Sequence, residues 1–501
     1  MSRRSRLVVL NWRDRTHPES GAAEAYTERV AREVARRGRP VVVLTSRPRG
    51  ARRRERVDGY RVLRLGGRWT VYPLALLWLL VHRRSTGAVL DSQNGIPFFS
   101  PLVVNRSVPV VLLVHQVHQD VFGAALPAPV AALARWAEGP LTRRVYHRRT
   151  VVVPSPTTRV QVRRRLRMTG PVRLVPGGAD RARRDVVRAP APRIVVSGRL
   201  ADRKGLDQLV TAVAAVQTTR PDLQLHLLGD GPARAGLAAL ARSQGARVVF
   251  HGRVDDERRD QVLGSAWLSV SASGSGDWGL GPIAANALGV PVLALRVPGT
   301  TDAIRQGRTG WVVENSAAAL TEGIEQALDR LADPEAATRM ARRARAWAAQ
   351  FSWDQTADGV LKAVADEAAR RARAAAGDVD RRGGNDLAVV LRVPATAVTA
   401  GWEAHRRAGD TWIADGGTVR GLLTGADEAD VPAVLDRLGV DRDDPGISVL
   451  VARQSDLLGL PDVAADEVLD LAESLGRPVL VPDTQDGADG AEDDGGAGRA
   501  A

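Results

Sequence analysis

Residues 193–228, RIVVSGRLADRKGLDQLVTAVAAVQTTRPDLQLHLL, decide the fold. The apolar run Arg193–Ser197 predicts a buried strand, residues 205–216 have the period of an amphipathic helix, and residues 223–228 predict a second strand. A strand, a helix and a strand in this order are typical of a parallel sheet covered by helices. Ligands of such sheets bind where the carboxyl ends of the strands open onto a crevice.

The same alternation continues on both sides of this stretch. A helix is predicted at residues 22–37, ending at Gly38. Further strands are predicted at residues 7–10, 41–44, 88–90, 110–114 and 150–153, and then at 248–250, 268–270 and 292–295. The pattern indicates two doubly wound α/β domains, residues 1–180 and 181–370, with a boundary within 176–192. Two such domains that face each other would hold a ligand between them.

The C-terminal part predicts a linker at residues 371–386 and then a small α/β module at residues 387–482. Its strands are expected at 388–393, 447–452 and 479–481, and its helices near 431–438 and 464–475. We assign the module no function, because Trp402, Trp412 and the turn at 415–417 suit a ligand site or a packed core equally well. Residues 483–501 have almost no apolar side chains and are expected to be disordered.

Composition limits the class of protein. The chain has 501 residues, of which 44% are hydrophobic and 26% charged, as in soluble globular proteins. It has no cysteine, which excludes disulfides, thiolate metal sites and cysteine nucleophiles and allows a cytoplasmic chain. Arg3, Arg4 and Arg6 precede a short apolar run without a small-residue cleavage site, so we expect no secretory signal.

The net charge of +14 favours anionic partners, unless it reflects a general bias toward arginine. The arginine runs at 52–54 and 163–165 lack the aromatic platforms of nucleic-acid readers, so we expect no nucleic acid and consider an acidic membrane surface instead. The apolar stretch at 71–81 is well short of the roughly 20 residues of a spanning helix. It predicts either a core helix or a helix that rests on a membrane.

Two loops of the second domain could bind a diphosphate. In the first, Arg199 follows a predicted strand and Lys204 lies five residues later, and such cations can grip phosphate oxygens. In the second, SGSGDWGLGP at 273–282 runs into a helix that starts at Pro282. Backbone N–H groups at a helix N-terminus form a ready anion site. Solvated surface loops remain the alternative interpretation of both.

Together these motifs resemble the family 4 retaining glycosyltransferases, which have the GT-B fold. The resemblance covers roughly residues 6–365. In the second domain it is carried by SGR at 197–199, KG at 204–205, LGDGP at 228–232, WGL at 278–280, AANALGVPV at 284–292, VPG at 297–299 and GRTGW at 307–311. In the first domain it is carried by WRD at 12–14, HP at 17–18, GAAEAY at 21–26, NGIPFF at 94–99 and HQVH at 115–118.

The resemblance implies that a sugar moves from a nucleoside diphosphate to a glycan, lipid-linked or small-molecule acceptor, without a metal ion or other cofactor. It implies that the donor diphosphate is held by Arg199, Lys204, Gly279, Leu280 and Gly281. It places the catalytic His115 near the reacting sugar and puts Gly21, Ala22 and Glu24 on the loop between donor and acceptor. Since lipid-linked acceptors are common in the family, it also implies a cytoplasmic location, in contact with the inner face of the cell membrane.

The chain departs from the family at two donor-loop glutamates, where it has Gly276 and Ala284. Losing both acceptors could weaken donor recognition by about 3–6 kcal/mol, a factor of roughly 10² to 10⁴. Ala22 also stands where the family usually has a second glycine, and its Cβ would crowd a phosphate. One hypothesis is an active enzyme that reads its donor through a catalytic Asp277. The other is a weakened or inactive relative that binds a nucleotide, a glycan or a partner enzyme.

Overall fold

The structure is a computed structural model, and it describes residues 5–180, 186–273, 279–297, 299–375, 387–398, 411–415, 417–424, 426–427, 430–441, 444 and 446–453. The chain forms two compact units, Met1–Gly383 and Gly384–Ala501. The first unit contains two lobes, each built on one sheet. Some predictions concern residues outside this described set: Trp402, residues 464–475 and 479–481, and the tail at 483–501.

The sheet of the first lobe has eight strands in the order β3-β4-β2-β1-β5-β6-β7-β8, and only β3 and β4 are antiparallel neighbours. They are β1 (Arg6–Leu10), β2 (Val41–Thr45), β3 (Arg54–Val57), β4 (Tyr60–Arg64), β5 (Thr86–Asn94), β6 (Val110–Gln116), β7 (Val151–Val153) and β8 (Val172–Leu174). The helices are α1 (Ala22–Arg36), α2 (Val71–Val81), α3 (Val121–Ala125), α4 (Ala128–Trp136), α5 (Thr142–Tyr146) and α6 (Pro156–Arg164).

Helices cover both faces of this sheet because its strands are apolar on both faces, and all five residues of β2 are buried. Helix α1 packs Val30 and Val34 onto one face, and α2 packs Ala75 and Leu79 onto the other. The stretch at 71–81 is thus a core helix on one side. Its opposite side remains exposed.

The second lobe has six parallel strands in the order β11-β10-β9-β12-β13-β14. They are β9 (Arg193–Ser197), β10 (Gln224–Leu228), β11 (Val248–Gly252), β12 (Leu268–Ser271), β13 (Val292–Leu295) and β14 (Gly310–Val313). The helices are α7 (Leu206–Gln217), α8 (Arg234–Ser243), α9 (Asp256–Gly264), α10 (Leu280–Ala287), α11 (Ala317–Ala332), α12 (Pro334–Ala348) and α13 (Trp353–Ala375). The expected pair of doubly wound domains is confirmed.

The last of these helices, α13, crosses back and packs on the first lobe. Its Trp353 ring meets the ring of Tyr26 edge-on, with centroids 6.2 Å apart. Its Glu367 carboxylate is fully buried and accepts hydrogen bonds from the Thr150 N–H at 3.0 Å and Oγ1 at 2.9 Å. The end of the second predicted domain therefore contributes to the core of the first lobe.

The second unit contains an antiparallel sheet in the order β16-β17-β15-β18. Its elements are β15 (Leu387–Pro394), β16 (Thr411–Asp415), β17 (Thr418–Thr424), α14 (Val431–Leu438) and β18 (Ser448–Arg453). Trp412 packs over Gly421 beside the apolar cluster of this sheet, as a core residue does.

Within the described part of the chain, we find no helix with the length and apolar character needed to cross a membrane.

Candidate functional site

A cleft of about 590 Å³ opens between the two lobes of the first unit. It lies beyond the carboxyl ends of β9 and β12, where a doubly wound sheet binds its ligands. The structure brings together nine of the sequence-predicted site residues in this cleft: Gly21, Ala22, Glu24, Arg199, Lys204, Gly279, Leu280, Gly281 and Ala284. The cleft has the size of a small-molecule site.

The loop after β9 places its cations in the cleft. A 3₁₀ turn at Asp202–Lys204 ends at Gly205, which has a φ of +60° and starts α7. A Cβ at Gly205 would also overlap the carbonyl oxygen of Ala272, so both the left-handed backbone and the close approach require glycine here. This turn fixes the backbone position from which the Lys204 side chain extends.

Three cations of this loop line the cleft. Arg199 is half-buried, and within the described residues it forms no ion pair with a carboxylate. The third, Arg203, was not predicted, and its Nη2 lies 4.0 Å from where a Cβ of Gly21 would stand. In the sequence, only its position between the two predicted phosphate-binding cations could have indicated that Arg203 belongs to the site. A half-buried guanidinium without a carboxylate favours an anionic ligand.

Helix α10 presents its N-terminus to the same cleft. Gly279 is its N-cap, and the N–H groups of the first turn have no partners within the helix. Ala284 is partly exposed and lines the cleft, whereas its neighbours Ile283 and Ala285 are buried. Gly276 and Asp277 lie outside the described residues, and their predicted roles stay predictions.

The first-lobe loop is held by Glu24, whose side chain is 1% exposed. Its carboxylate accepts hydrogen bonds from the Gly21 N–H at 2.6 Å, Arg13 Nε at 3.0 Å and Asn94 Nδ2 at 3.0 Å. These donors engage both oxygens and fix the entry to α1 as the glutamate of a capping box does. Glu24 therefore positions the loop that carries Gly21 and Ala22.

His115 is not one of the residues that line the cleft. Its Nε2 is 3.0 Å from Ser92 Oγ, and its ring meets that of Tyr26 edge-on at 5.4 Å between centroids. The side chain is buried, at 8% exposure. The nearby His118 is held through its backbone N–H, which donates to the buried Glu138 at 2.7 Å. The role of His115 near a reacting sugar stays a prediction.

Sequence reasoning missed the face of α1 that lines the cleft beyond Ala22. Arg29 and Arg32 follow Ala25 at helical spacing on this face, which is the signal that could have found them. Arg29 forms an ion pair with Asp180. Burial raises the pKa of Glu28 to about 7, although its oxygen accepts the Arg15 N–H at 2.7 Å. The cleft therefore contains a carboxyl group that titrates near neutral pH.

Each of the two lobes matches a known protein family. The family described as "Glycosyltransferase Family 4" matches residues 23–183, and the family described as "Glycosyl transferases group 1" matches residues 180–347. The boundary between the two matches coincides with the change from the first lobe to the second.

Curated relatives are similar over different lengths. The D-inositol 3-phosphate glycosyltransferase of Acidothermus cellulolyticus is 34% identical over 214 residues, which cover 40% of this chain and 47% of that protein. The chain spans about half the length of the first such relatives that it matches. The GDP-mannose-dependent alpha-(1-6)-phosphatidylinositol monomannoside mannosyltransferase of Mycolicibacterium smegmatis is 29% identical over 72% of this chain and 91% of its own.

Solved structures share the two-lobed architecture. The sucrose-phosphate synthase of Thermosynechococcus elongatus superposes with a TM-score of 0.60 and 21% identity, over 72% of this chain and 99% of that one. Anabaena HepE in complex with UDP superposes with a TM-score of 0.52 and 15% identity, over 72% of this chain and 100% of that one. At these identities the likeness concerns the fold alone.

Proposed function

Since the chain belongs to the family 4 glycosyltransferases and has their GT-B fold, we propose that it transfers a sugar from a nucleoside diphosphate sugar to an acceptor hydroxyl, with retention at the anomeric carbon. The acceptor is a glycan, a lipid or a small molecule. The observation that carries the proposal is the meeting of Arg199, Lys204 and the N-terminus of α10 in one cleft.

These groups are suited to stabilise a leaving diphosphate. Charge develops on the diphosphate as the bond to the sugar breaks, and fixed cations and N–H donors stabilise that charge without reorganising. Arg199 can bind two phosphate oxygens at once, and Lys204 adds a point charge. The proposed reaction therefore requires no metal ion or other cofactor, and its partners are a nucleotide sugar and a glycan or lipid-linked acceptor.

A second candidate function is favoured by Ala284. This residue lines the cleft at the position where the resemblance expects a glutamate. A methyl group accepts no hydrogen bond from a ribose or sugar hydroxyl. The alternative is therefore a weakened or inactive relative that binds a nucleotide or glycan, or that regulates a partner enzyme.

Nucleotide binding followed by turnover separates these candidates. We expect UDP or GDP to raise the thermal midpoint of the wild type and to have little effect on an Arg199→Ala, Lys204→Ala double variant. Arg242→Ala, which changes an exposed side chain of α8, is the matched control and should respond like the wild type. No stabilisation by either nucleotide would contradict both candidates.

Turnover is then measured as hydrolysis or transfer of UDP-linked and GDP-linked sugars. Turnover that Asp277→Asn abolishes supports an active enzyme that reads its donor through this carboxylate. Nucleotide binding without turnover supports the weakened relative.

We further propose that the first lobe meets its acceptor at an anionic membrane surface on the cytoplasmic side. The supporting observation is the outer side of α2, where Leu77 is 56% exposed, Leu80 45% and Val81 70%. Exposed arginines flank this surface at Arg83 and Arg84. Apolar insertion beside cations is the pattern of helices that lie in a membrane interface.

Vesicle flotation tests this surface. We expect the wild type to float with vesicles that contain phosphatidylglycerol and not with vesicles of phosphatidylcholine alone. Replacing Leu77 and Leu80 by serine should reduce flotation, whereas Val249→Ser, at an exposed apolar position of the second lobe, should not. Flotation that is independent of anionic lipid, or unchanged in the double variant, contradicts the proposal.

A further inference from the structure

The two lobes are joined by a hydrogen-bonded contact that the proposed function does not use. Asp302 lies in the 3₁₀ turn Thr301–Ala303 of the second lobe, between β13 and β14. Its carboxylate accepts hydrogen bonds from the N–H of Thr157 at 3.1 Å and from Thr157 Oγ1 at 2.9 Å. Thr157 belongs to the first lobe, where it lies in the first turn of α6.

The contact is chemically specific. The first N–H groups of a helix have no partners within it, and the N-terminus carries partial positive charge. Ser155 is the N-cap of α6 and satisfies the Thr158 N–H at 3.1 Å, whereas the Thr157 N–H is satisfied by Asp302. Burial raises the pKa of Asp302, and the hydrogen bonds from Thr157 and Ser155 oppose that rise. A carboxylate of one lobe thus accepts a hydrogen bond from an otherwise unpaired N–H at the start of a helix of the other lobe.

The turn that carries Asp302 also adjoins the candidate diphosphate site. Thr300 lines the cleft. Ala303 lies against Gly279, where an added Cβ would overlap its methyl group. The carbonyl oxygen of Ala303 accepts the Trp347 Nε1–H at 2.9 Å. One short turn therefore contacts α6 on one side and the N-cap of α10 on the other.

We propose that Asp302 is a positioning residue that clamps α6 of the first lobe to the cleft turn of the second and so sets the separation of the lobes. The carboxylate reaches Thr157 only while the lobes keep their observed arrangement. Losing the clamp lets the cleft open, and Gly21 then moves away from the Arg203 guanidinium. The proposal goes beyond the sugar-transfer function and is tested without measuring it.

A distance between the lobes is the direct readout. The chain has no cysteine, so Arg84→Cys and Arg242→Cys create one pair of exposed labelling sites, one in each lobe, for pulsed electron spin resonance. The full-length chain with Asp302 intact should give one narrow distance distribution. In Asp302→Asn the population at longer distances should rise about tenfold, the effect of losing one charge-assisted hydrogen bond. Thr157→Val, which removes Oγ1 and keeps the size of the side chain, should broaden the distribution in the same direction.

Asp333→Asn is the matched control, because Asp333 also caps a helix with its carboxylate but does so within the second lobe. It should leave the interlobe distance unchanged. Distributions equal to the wild type in both Asp302→Asn and Thr157→Val would overturn the proposal, and so would an equal shift in Asp333→Asn. If Asp302→Asn does not fold, Thr157→Val alone decides by the same comparison.

Discussion

Gly359→Ala tests the docking of α13 on the first lobe. A Cβ at this helical position would lie 2.8 Å from Val175 Cγ1 and 3.1 Å from Cγ2. Carbon atoms in contact are separated by about 3.5–4.0 Å, so the helix or Val175 must move by roughly 0.5–1 Å. Overpacking of this kind costs about 1–3 kcal/mol, against which the helix gains about 0.5–1 kcal/mol from losing a glycine. We therefore expect a net loss of up to about 2.5 kcal/mol in the free energy of unfolding.

Gly236→Ala is the matched control, since Gly236 lies inside α8 and a Cβ there would have nothing within 4 Å. This variant should be more stable than the wild type by about 0.5–1 kcal/mol. The two variants are compared by urea denaturation followed by tryptophan fluorescence. If both are stabilised alike, α13 does not pack against Val175 as described.

A double-mutant cycle with Val175→Ala isolates the contact. Val175→Ala alone should cost about 1–2 kcal/mol, because it removes two buried methyl groups. In the double variant the new methyl group at position 359 occupies the space that Val175 leaves. The free energies of unfolding should then be non-additive by about 1–3 kcal/mol. Additive effects would refute the overlap from which the magnitude is derived.

Three further outcomes follow from buried or constrained groups. Glu367→Ala should lower the free energy of unfolding by about 3–5 kcal/mol, because it leaves the buried Arg149 without its carboxylate, and thermal unfolding checks this loss. The raised pKa of Glu28, about 7 in the native state, means that the folded chain binds an extra proton between pH 4.5 and 7. Wild-type stability should fall by up to about 3 kcal/mol as pH rises through that window, and urea denaturation at pH 5 and pH 8 should show a smaller fall in Glu28→Gln. Gly205→Ala should destabilise the chain by about 1–3 kcal/mol, because its φ is +60° and a Cβ would overlap the Ala272 oxygen, and a thermal midpoint equal to the wild type would contradict this.

Apolar runs identified the central strands that are buried on both faces, and they also identified the edge strand β11, whose Val249 is exposed. β2 reads VVVLT, and every one of its residues is buried, so an apolar run was sufficient to find it. β3 reads RERV and was missed because it is an edge strand whose exposed positions carry Arg54 and Arg56. An edge strand needs no continuous apolar run, and its charge protects it from pairing with another chain.

The site residues could be predicted where their role depends on neighbouring sequence, and not where it depends on contacts that form only on folding. Arg199 and Lys204 could be assigned to a phosphate site because they share one loop after a predicted strand. Glu24 could be placed on the first loop, but its engagement by donors as distant as Asn94 depends on how β5 lies beside β1. Glu28 was missed because its raised pKa comes from burial, which a single helix pattern does not show.

The carboxylates that line the described part of the cleft are already engaged by the protein. Glu24 accepts three hydrogen bonds from the protein. The other lining carboxylates form ion pairs with arginines: Asp180 with Arg29, Asp58 with Arg32, Glu28 with Arg15, and both Asp256 and Asp260 with Arg259. Helix α10 contributes Ala284 and its N-terminal N–H groups, and neither a methyl group nor an N–H group can accept a hydrogen bond from a hydroxyl. Under the proposed function, diphosphate binding and hydroxyl recognition would therefore depend on different groups of the cleft. An active transferase and a weakened relative would share the first property and differ in the second, and the Asp277→Asn variant tests whether hydroxyl recognition depends on that carboxylate.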